Sequence, residues 1–254
     1  MNEKYNGLCL KKTAYKDNGE MLTLFTLEKG LTGAALIGAK KPNAKLKFCG
    51  ETFCFAEYVL SERAGRRTVV DANEIDCFYG LREDLDRFYS ACSVSEFIMN
   101  FTADGESDYG LFLLTVKALK AIEVGERPFV ALISFLVNAL NAIGYLIDFD
   151  ACSDCGREIE GRAFFDFGSS AALCSECAKA GHIEMRIDTY NLIKEVLSHD
   201  VEFFKKGDLS TYSPAFISIR SQINAIKFLD YYMSVNVGAG LKTNKTIIDN
   251  YSAE

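Results

Sequence analysis

The sequence predicts an α+β protein in which a small five-stranded β-barrel precedes an α-helical domain, with a zinc ribbon inserted in the helices. Three observations predict it. The first 76 residues break into five short strand-like runs, the apolar period becomes helical from Cys77 onward, and four cysteines between positions 152 and 177 form two C-x2-C pairs.

The strand-like runs are Gly7 to Lys12, Met21 to Leu27, Leu31 to Ala39, Thr52 to Leu60 and Arg67 to Val70. Turn residues or charges separate them at Asp17-Asn18-Gly19, at Lys29-Gly30, across Lys40 to Lys47 and at Arg63-Ala64-Gly65-Arg66. Five short strands in this length predict an OB-type barrel, residues 1–76. Gly33 and Gly38 in the third run fit the bulges or tight corners that such a barrel needs to curve back on itself.

Residues 77–254 read as helical. Leu81, Leu85, Phe88, Tyr89, Cys92, Phe97 and Ile98 recur at helical spacing, and Leu111 to Ile122 and Phe129 to Ile147 repeat the pattern, punctuated by Gly105, Gly125 and Pro128. Helices resume at Thr189 to Leu197 and, after Pro214, from Ala215 to about Met233. The Gly-rich, basic stretch Gly238 to Lys245 reads as a mobile tail. Pro128 to Ile147 is an uncharged run of membrane-spanning length, but Ser134, Asn138, Asn141 and Gly144 interrupt it. A buried central helix is the expectation.

Cys152, Cys155, Cys174 and Cys177 have the spacing of two knuckles gripping one tetrahedral zinc ion. The competing readings are two unrelated pairs or a redox dithiol. A thioredoxin-type dithiol opens a helix, whereas Cys155 is followed by Gly156 and by the strand-like run Arg162 to Phe167. The expectation is a zinc ribbon at residues 150–182, built on a short hairpin. Four thiolates close the coordination sphere, so the metal is structural rather than catalytic.

The other five cysteines, Cys9, Cys49, Cys54, Cys77 and Cys92, lack pair spacing and read as small buried hydrophobes of a reducing compartment, the cytoplasm. Met1 to Gly7 has no apolar signal-peptide core, so secretion is not expected. The chain carries −7 overall, yet residues 1–50 hold nine lysines against four acids. A polyanion-facing module on an acidic body accounts for that asymmetry, and so does a merely solvated lysine face.

Catalytic motifs fail. His182 and His199 stand in no metal or nucleophile arrangement, Gly38 is followed by Ala39 where a phosphate loop demands Lys, and no nucleophile elbow or deaminase signature is present. The pairs Asp84/Asp86 and Asp148/Asp150 point to different faces of a helix and read as surface charge. The protein is not expected to be an enzyme, and no small-molecule substrate or membrane is implied.

Several segments carry a family likeness: Gly7-Leu8-Cys9-Leu10-Lys11, Leu22-Thr23-Leu24-Phe25-Thr26 followed by Glu28-Lys29-Gly30, Gly38-Ala39-Lys40-Lys41, Leu81-Arg82-Glu83-Asp84-Leu85, Ala142-Ile143-Gly144-Tyr145 and Cys152-Ser153-Asp154-Cys155-Gly156. In their order and spacing over nearly the full chain they resemble the RecO family of bacterial DNA repair proteins. The resemblance implies a recombination mediator that binds single- and double-stranded DNA and anneals complementary strands. It also implies action with RecR and often RecF, contact with the single-stranded-DNA-binding protein SSB, and assistance in loading RecA. The implied location is cytoplasmic and nucleoid-associated. The resemblance implies more positive charge than this acidic body carries, and Val235 to Lys245, near the C-terminus, holds only Lys242 and Lys245.

An OB barrel offers a concave face on which cations track phosphates and aromatics stack on bases. The candidate DNA-binding residues are Lys11, Lys12 and Lys16 around the exit of the first strand, Lys40, Lys41, Lys45 and Lys47 in one loop, and Arg63, Arg66 and Arg67 in the last hairpin. Tyr15, Phe53, Phe55 and Tyr58 are either stacking platforms or core. The alternative function is a zinc-stabilised protein–protein adaptor in DNA repair with little DNA binding of its own, in which the lysines hold an acidic protein segment.

Overall fold

In the computed structural model, which describes residues 2–41, 44–199, 201 and 218–252, the first strand serves two partners and so closes a barrel. Strand β1 (Asn2–Tyr15) pairs through its first half with β4 (Phe55–Arg63) and through its second half with β2 (Gly19–Thr26). An irregularity between Cys9 and Lys11 bends it between the two. β3 (Gly30–Leu36) meets β5 (Arg66–Asp76) in parallel at Ala35 and Thr68, which completes the closed order β1-β2-β3-β5-β4. Inward side chains at alternate positions, Leu22 and Leu24, Ala34 and Leu36, Tyr58 and Leu60, fill the interior.

β1 runs from Asn2 to Tyr15 where the sequence indicates Gly7 to Lys12, and β3 ends at Leu36 rather than Ala39; four further differences have a visible cause. Gly33 is no bulge: it pairs regularly with Thr23 and leaves open space outside the sheet, whereas Gly38, at φ +74°, makes the expected corner. β4 begins at Phe55 rather than Thr52, because Phe53 takes a left-handed φ of 72° that no strand accommodates. β5 runs on to Asp76: a register shift opposite Val59 and Leu60 leaves Val70 as an extra residue, so Val69 and Ala72, three apart, are both buried and the sequence shows no regular alternation to follow. The fourth concerns cysteine. Cys54 and Cys77 are not separate thiols but a disulfide. The β4–β5 register opposes Phe55 to Asp76, which places the next residue outward on each strand face to face, a proximity invisible to spacing along the chain.

Among the described residues the helical body comprises α1 (Leu85–Phe101), α2 (Tyr109–Val124), α3 (Pro128–Ala142), α4 (Ile187–Leu197), α5 (Ile219–Tyr232) and α6 (Lys242–Ser252). Asp84 and Asp108 cap the first two helices through the amides of Arg87 and Leu111, satisfying donors that a helix start leaves open. The expected central helix is α3, with Phe129 through Val137 all buried. It stops at Ala142 because Gly144, at φ +92°, sends its amide to Asn141 and that of Tyr145 to Leu140, a Schellman closure. Fifteen residues of helix span about 22 Å, short of a hydrocarbon core of about 30 Å. Among the described residues no helix is long and apolar enough to cross a membrane.

The Gly-rich tail is a correction. Lys242–Ser252 form helix α6, docked on α1. Glu96 accepts the amides of Lys242 and Thr243 at 2.9 and 2.8 Å, Ser93 Oγ bonds Asn244 Oδ1 at 2.6 Å, and Leu241 and Ile247 are buried. The caps come from another helix, so local composition could not announce them. Residues 215–217, expected to begin the preceding helix, lie outside the described residues.

Phenylalanines join barrel to body: Phe25 and Phe55 both meet Phe112 of α2, at 5.5 and 5.8 Å between ring centroids, and Phe53 meets Phe88 of α1 at 5.9 Å. The Arg82 guanidinium, donating to the carbonyls of Thr52, Cys77 and Phe78, pins the junction.

Candidate nucleic-acid interface and metal centre

The ribbon contains the predicted hairpin, β6 (Ala163–Asp166) and β7 (Ala171–Cys174), and a third strand, β8 (Ile183–Met185), paired to the other edge of β6. Three residues are too few to show a period, so β8 was not legible. At the first knuckle Gly156, at φ +69°, turns the chain so that its amide reaches the Cys152 carbonyl at 2.8 Å and the Cys152 amide reaches Arg157 at 2.9 Å. At the second, the amides of Cys177 and Ala178 both return to the Cys174 carbonyl.

These turns bring the four sulfurs within 4.8 Å of one another, with Cys155 Sγ and Cys174 Sγ 3.9 Å apart. Four thiolates at about 2.3 Å from a tetrahedral zinc would stand about 3.8 Å apart, so the cluster fits a metal ion of that size. Arg157, its Nε donating to Cys155 Sγ at 3.4 Å, holds that thiol down at about 6, toward the thiolate a metal needs. His182 is occupied otherwise, accepting the Lys179 amide at Nδ1. The ribbon's aromatic side is continuous with the helices: Phe149 stacks on Phe165 and on Tyr190 of α4, and Phe228 of α5 meets Phe165 edge-on at 4.9 Å.

Four of the cations around the ribbon are neutralised, while Lys179 is in no ion pair among the described residues. Arg157 pairs with Glu176, Arg162 with Glu184 at 2.7 Å, Arg186 with Asp188 at 3.0 Å and Lys194 with Glu158 at 3.7 Å. As a phosphate-binding surface it has little left to offer.

The barrel differs. A groove of about 940 Å³ crosses the outer face of β2, β3 and β5, closed at its ends by the β1–β2 turn and the β4–β5 hairpin. Its charged lining is Lys16, Arg63, Arg66 and Arg67, with no acid among the lining residues. In the hairpin, Ala64 and Gly65 both take positive φ, the type I′ geometry that a two-residue link between twisted strands favours, and it holds Arg63 and Arg66 opposite one another. Arg67 is anchored, its Nε on Glu62 at 3.0 Å and a terminal nitrogen on Thr32 Oγ1 at 2.7 Å.

Of the ten expected cations the fold thus gathers four on the groove. Lys40 and Lys41 adjoin it, since the Lys40 amide bonds the Asn18 carbonyl of the β1–β2 turn at 3.4 Å and Ile37, on the wall, precedes them closely. Lys11, Lys12, Lys45 and Lys47 do not line it, and Lys12 is paired with Glu51 at 3.0 Å and Glu20 at 3.9 Å. The aromatics divide as well. Phe53 and Tyr58 are fully buried and Phe55 packs on Phe112, which leaves Tyr15 on the groove.

A closed barrel in OB strand order, a helical body and a four-cysteine cluster able to hold a metal define an OB-barrel protein with a metal-binding type of ribbon packed on its helices. Residues 1–78 match the family model for the N-terminal part of Recombination protein O and residues 82–245 match that for its C-terminal part, so the chain belongs to the Recombination protein O family. It is similar to the DNA repair protein RecO of Desulforamulus reducens, 27% identical over 93% of this chain and 97% of that one. The proteins of the same name from Clostridium novyi, 28% identical over 78% of each chain, and Bacillus subtilis, 24% identical over 96% of this chain and 93% of that one, are further relatives.

Proposed function

We propose that this protein is a DNA repair and recombination mediator that binds single- and double-stranded DNA through the barrel groove and promotes annealing of complementary strands. The observation that carries the proposal is a concave OB face whose charged lining is entirely cationic, in a chain that belongs to this family along its length. RecR, RecF, RecA and SSB are the partners the family suggests. The work is positioning of strands rather than bond chemistry, the four cysteines hold one structural zinc, and the site of action is the nucleoid in the cytoplasm.

Phosphate neutralisation releases counterions, so binding of a single-stranded oligonucleotide should weaken with salt, with a logarithmic slope of about −2 for the three cations Lys16, Arg63 and Arg66. Titration at several salt concentrations, with and without RecR, tests this. Binding absent or independent of salt under both conditions would overturn it. An annealing assay with SSB-coated complementary strands tests the mediator role directly.

An adaptor reading draws on the cations off the groove, above all Lys45 and Lys47. Charge reversal at Lys16, Arg63 and Arg66, compared with charge reversal at Lys45 and Lys47, separates the two: a mediator loses DNA affinity with the first set, while an adaptor loses partner binding with the second and leaves DNA unaffected.

A further inference from the structure

We infer that Cys54 and Cys77 form a reversible redox latch across the junction of barrel and body. Joined, they fix the barrel on the helices; as thiols, they leave that hold to side-chain contacts alone.

The bond lies where the chain passes from one domain to the other. β5 ends at Asp76 and the single turn Tyr79–Arg82 leads on into α1, so Cys77 sits on the covalent crossing itself. Cys54 follows Phe53, whose ring meets Phe88 of α1 at 5.9 Å. The disulfide therefore ties the crossing back to the barrel segment that touches α1. It also closes a loop around the whole β4–β5 hairpin.

Main-chain contacts hold both cysteines in place whether or not the bond is made. The Cys54 amide donates to the Glu51 carbonyl at 3.0 Å, and the Cys54 carbonyl accepts the Cys9 amide at 2.9 Å. Arg82 donates to the Cys77 carbonyl at 3.0 Å, and the pairing of Phe55 with Asp76 keeps the two residues opposite one another. Reduction thus leaves two neighbouring thiols on a fixed backbone, ready to rejoin. The other seven cysteines are thiols, four of them gathered at the ribbon, so the chain is built for a reducing setting in which a disulfide is conditional. Cys9 and Cys49 do not compete for the pairing: burial pushes both thiols up to about 12 and keeps them protonated.

Closing the latch needs an oxidant, which a low-molecular-weight disulfide such as oxidised glutathione supplies. The Cys54 thiolate attacks one of its sulfurs and expels one glutathione thiolate; the Cys77 thiolate then attacks the Cys54 sulfur and expels the other. The protein dithiol loses two electrons, the small disulfide gains them, and the two protein protons end on the two released thiols. Excess glutathione runs the same steps backwards. Both cysteines are buried, so exchange proceeds only when the junction parts, and Arg82, bonded also to the carbonyls of Thr52 and Phe78, holds it shut.

The test equilibrates the full-length protein over a range of reduced-to-oxidised glutathione ratios, then alkylates it in denaturant and maps the products by mass. Reducing ratios should leave nine alkylated cysteines, and oxidising ratios seven, with Cys54 joined to Cys77. At equal metal content by elemental analysis, the latched form should melt roughly 5–10 °C above the reduced form. Hydrogen exchange over residues 78–90 should be slower in it. Cys54→Ala with Cys77→Ala should behave as the reduced native chain does at every ratio. A thiol count that stays at nine or at seven across all ratios overturns the inference, as does pairing of other cysteines, or equal melting and equal exchange of the two forms.

Discussion

The carboxylate of Asp230, on α5, accepts the amide of Leu241 at 2.7 Å across the turn that leads into α6. Asn244 of α6 lies within reach of the same oxygen at 3.5 Å, and Lys245 is close enough to lower the carboxyl's pKa. Burial outweighs these and raises the Asp230 carboxyl above its ordinary 3.8. One buried acid thus helps to hold the last helix in place.

A pH dependence follows. The folded chain holds the Asp230 proton more tightly than the unfolded chain does, so its contribution to stability is full at low pH and falls as pH rises through the raised folded value. Asp230→Asn keeps an oxygen for Leu241 and removes the titration. Its stability should therefore fall less than that of the native protein between about pH 4 and pH 7 in chemical denaturation. Parallel profiles would contradict this.

The metal centre should hold one zinc per chain, measured by elemental analysis of the purified protein. Cys152 is buried at the first knuckle, and Cys152→Ser should lower both the zinc content and the melting temperature, because the ion supplies the ribbon's folding energy. Prolonged chelation of the native chain should have the same effect. Full stability after complete metal removal would count against a structural role.

The centre of the body is α3. Phe135 is fully buried and meets Phe97 of α1 edge-on at 5.5 Å, so Phe135→Ala should cost about 3–5 kcal/mol through lost transfer energy and the cavity it leaves. Val124→Ala, at a residue 48% exposed, should change stability by less than about 0.5 kcal/mol. Urea midpoints of the two variants check the contrast.

Two barrel cations should behave oppositely toward single-stranded DNA. Arg66 lines the groove and makes no ion pair among the described residues, so Arg66→Ala should flatten the salt slope by about 0.7. Lys12 is already paired with Glu51 and Glu20, and Lys12→Ala should leave the slope unchanged. Equal effects would mean that the groove does not organise the binding.

What the sequence by itself determined is what short-range order determines. The alternation in the first five runs and the helical period after Cys77 specified the barrel and the helical body, since each side chain's face is set by its own backbone within a few residues. The C-x2-C pairs specified the sulfur cluster because a knuckle is a local turn that Gly156 permits. Tertiary structure decided the rest. The Cys54–Cys77 disulfide depends on strand register, α6 depends on Glu96 and Asp230 from other helices, and the gathering of Lys16, Arg63 and Arg66 on one groove depends on where barrel closure brings two distant turns together. Each of these is a meeting of residues far apart along the chain. The energy of such contacts exists only once the strands have closed and the helices have packed.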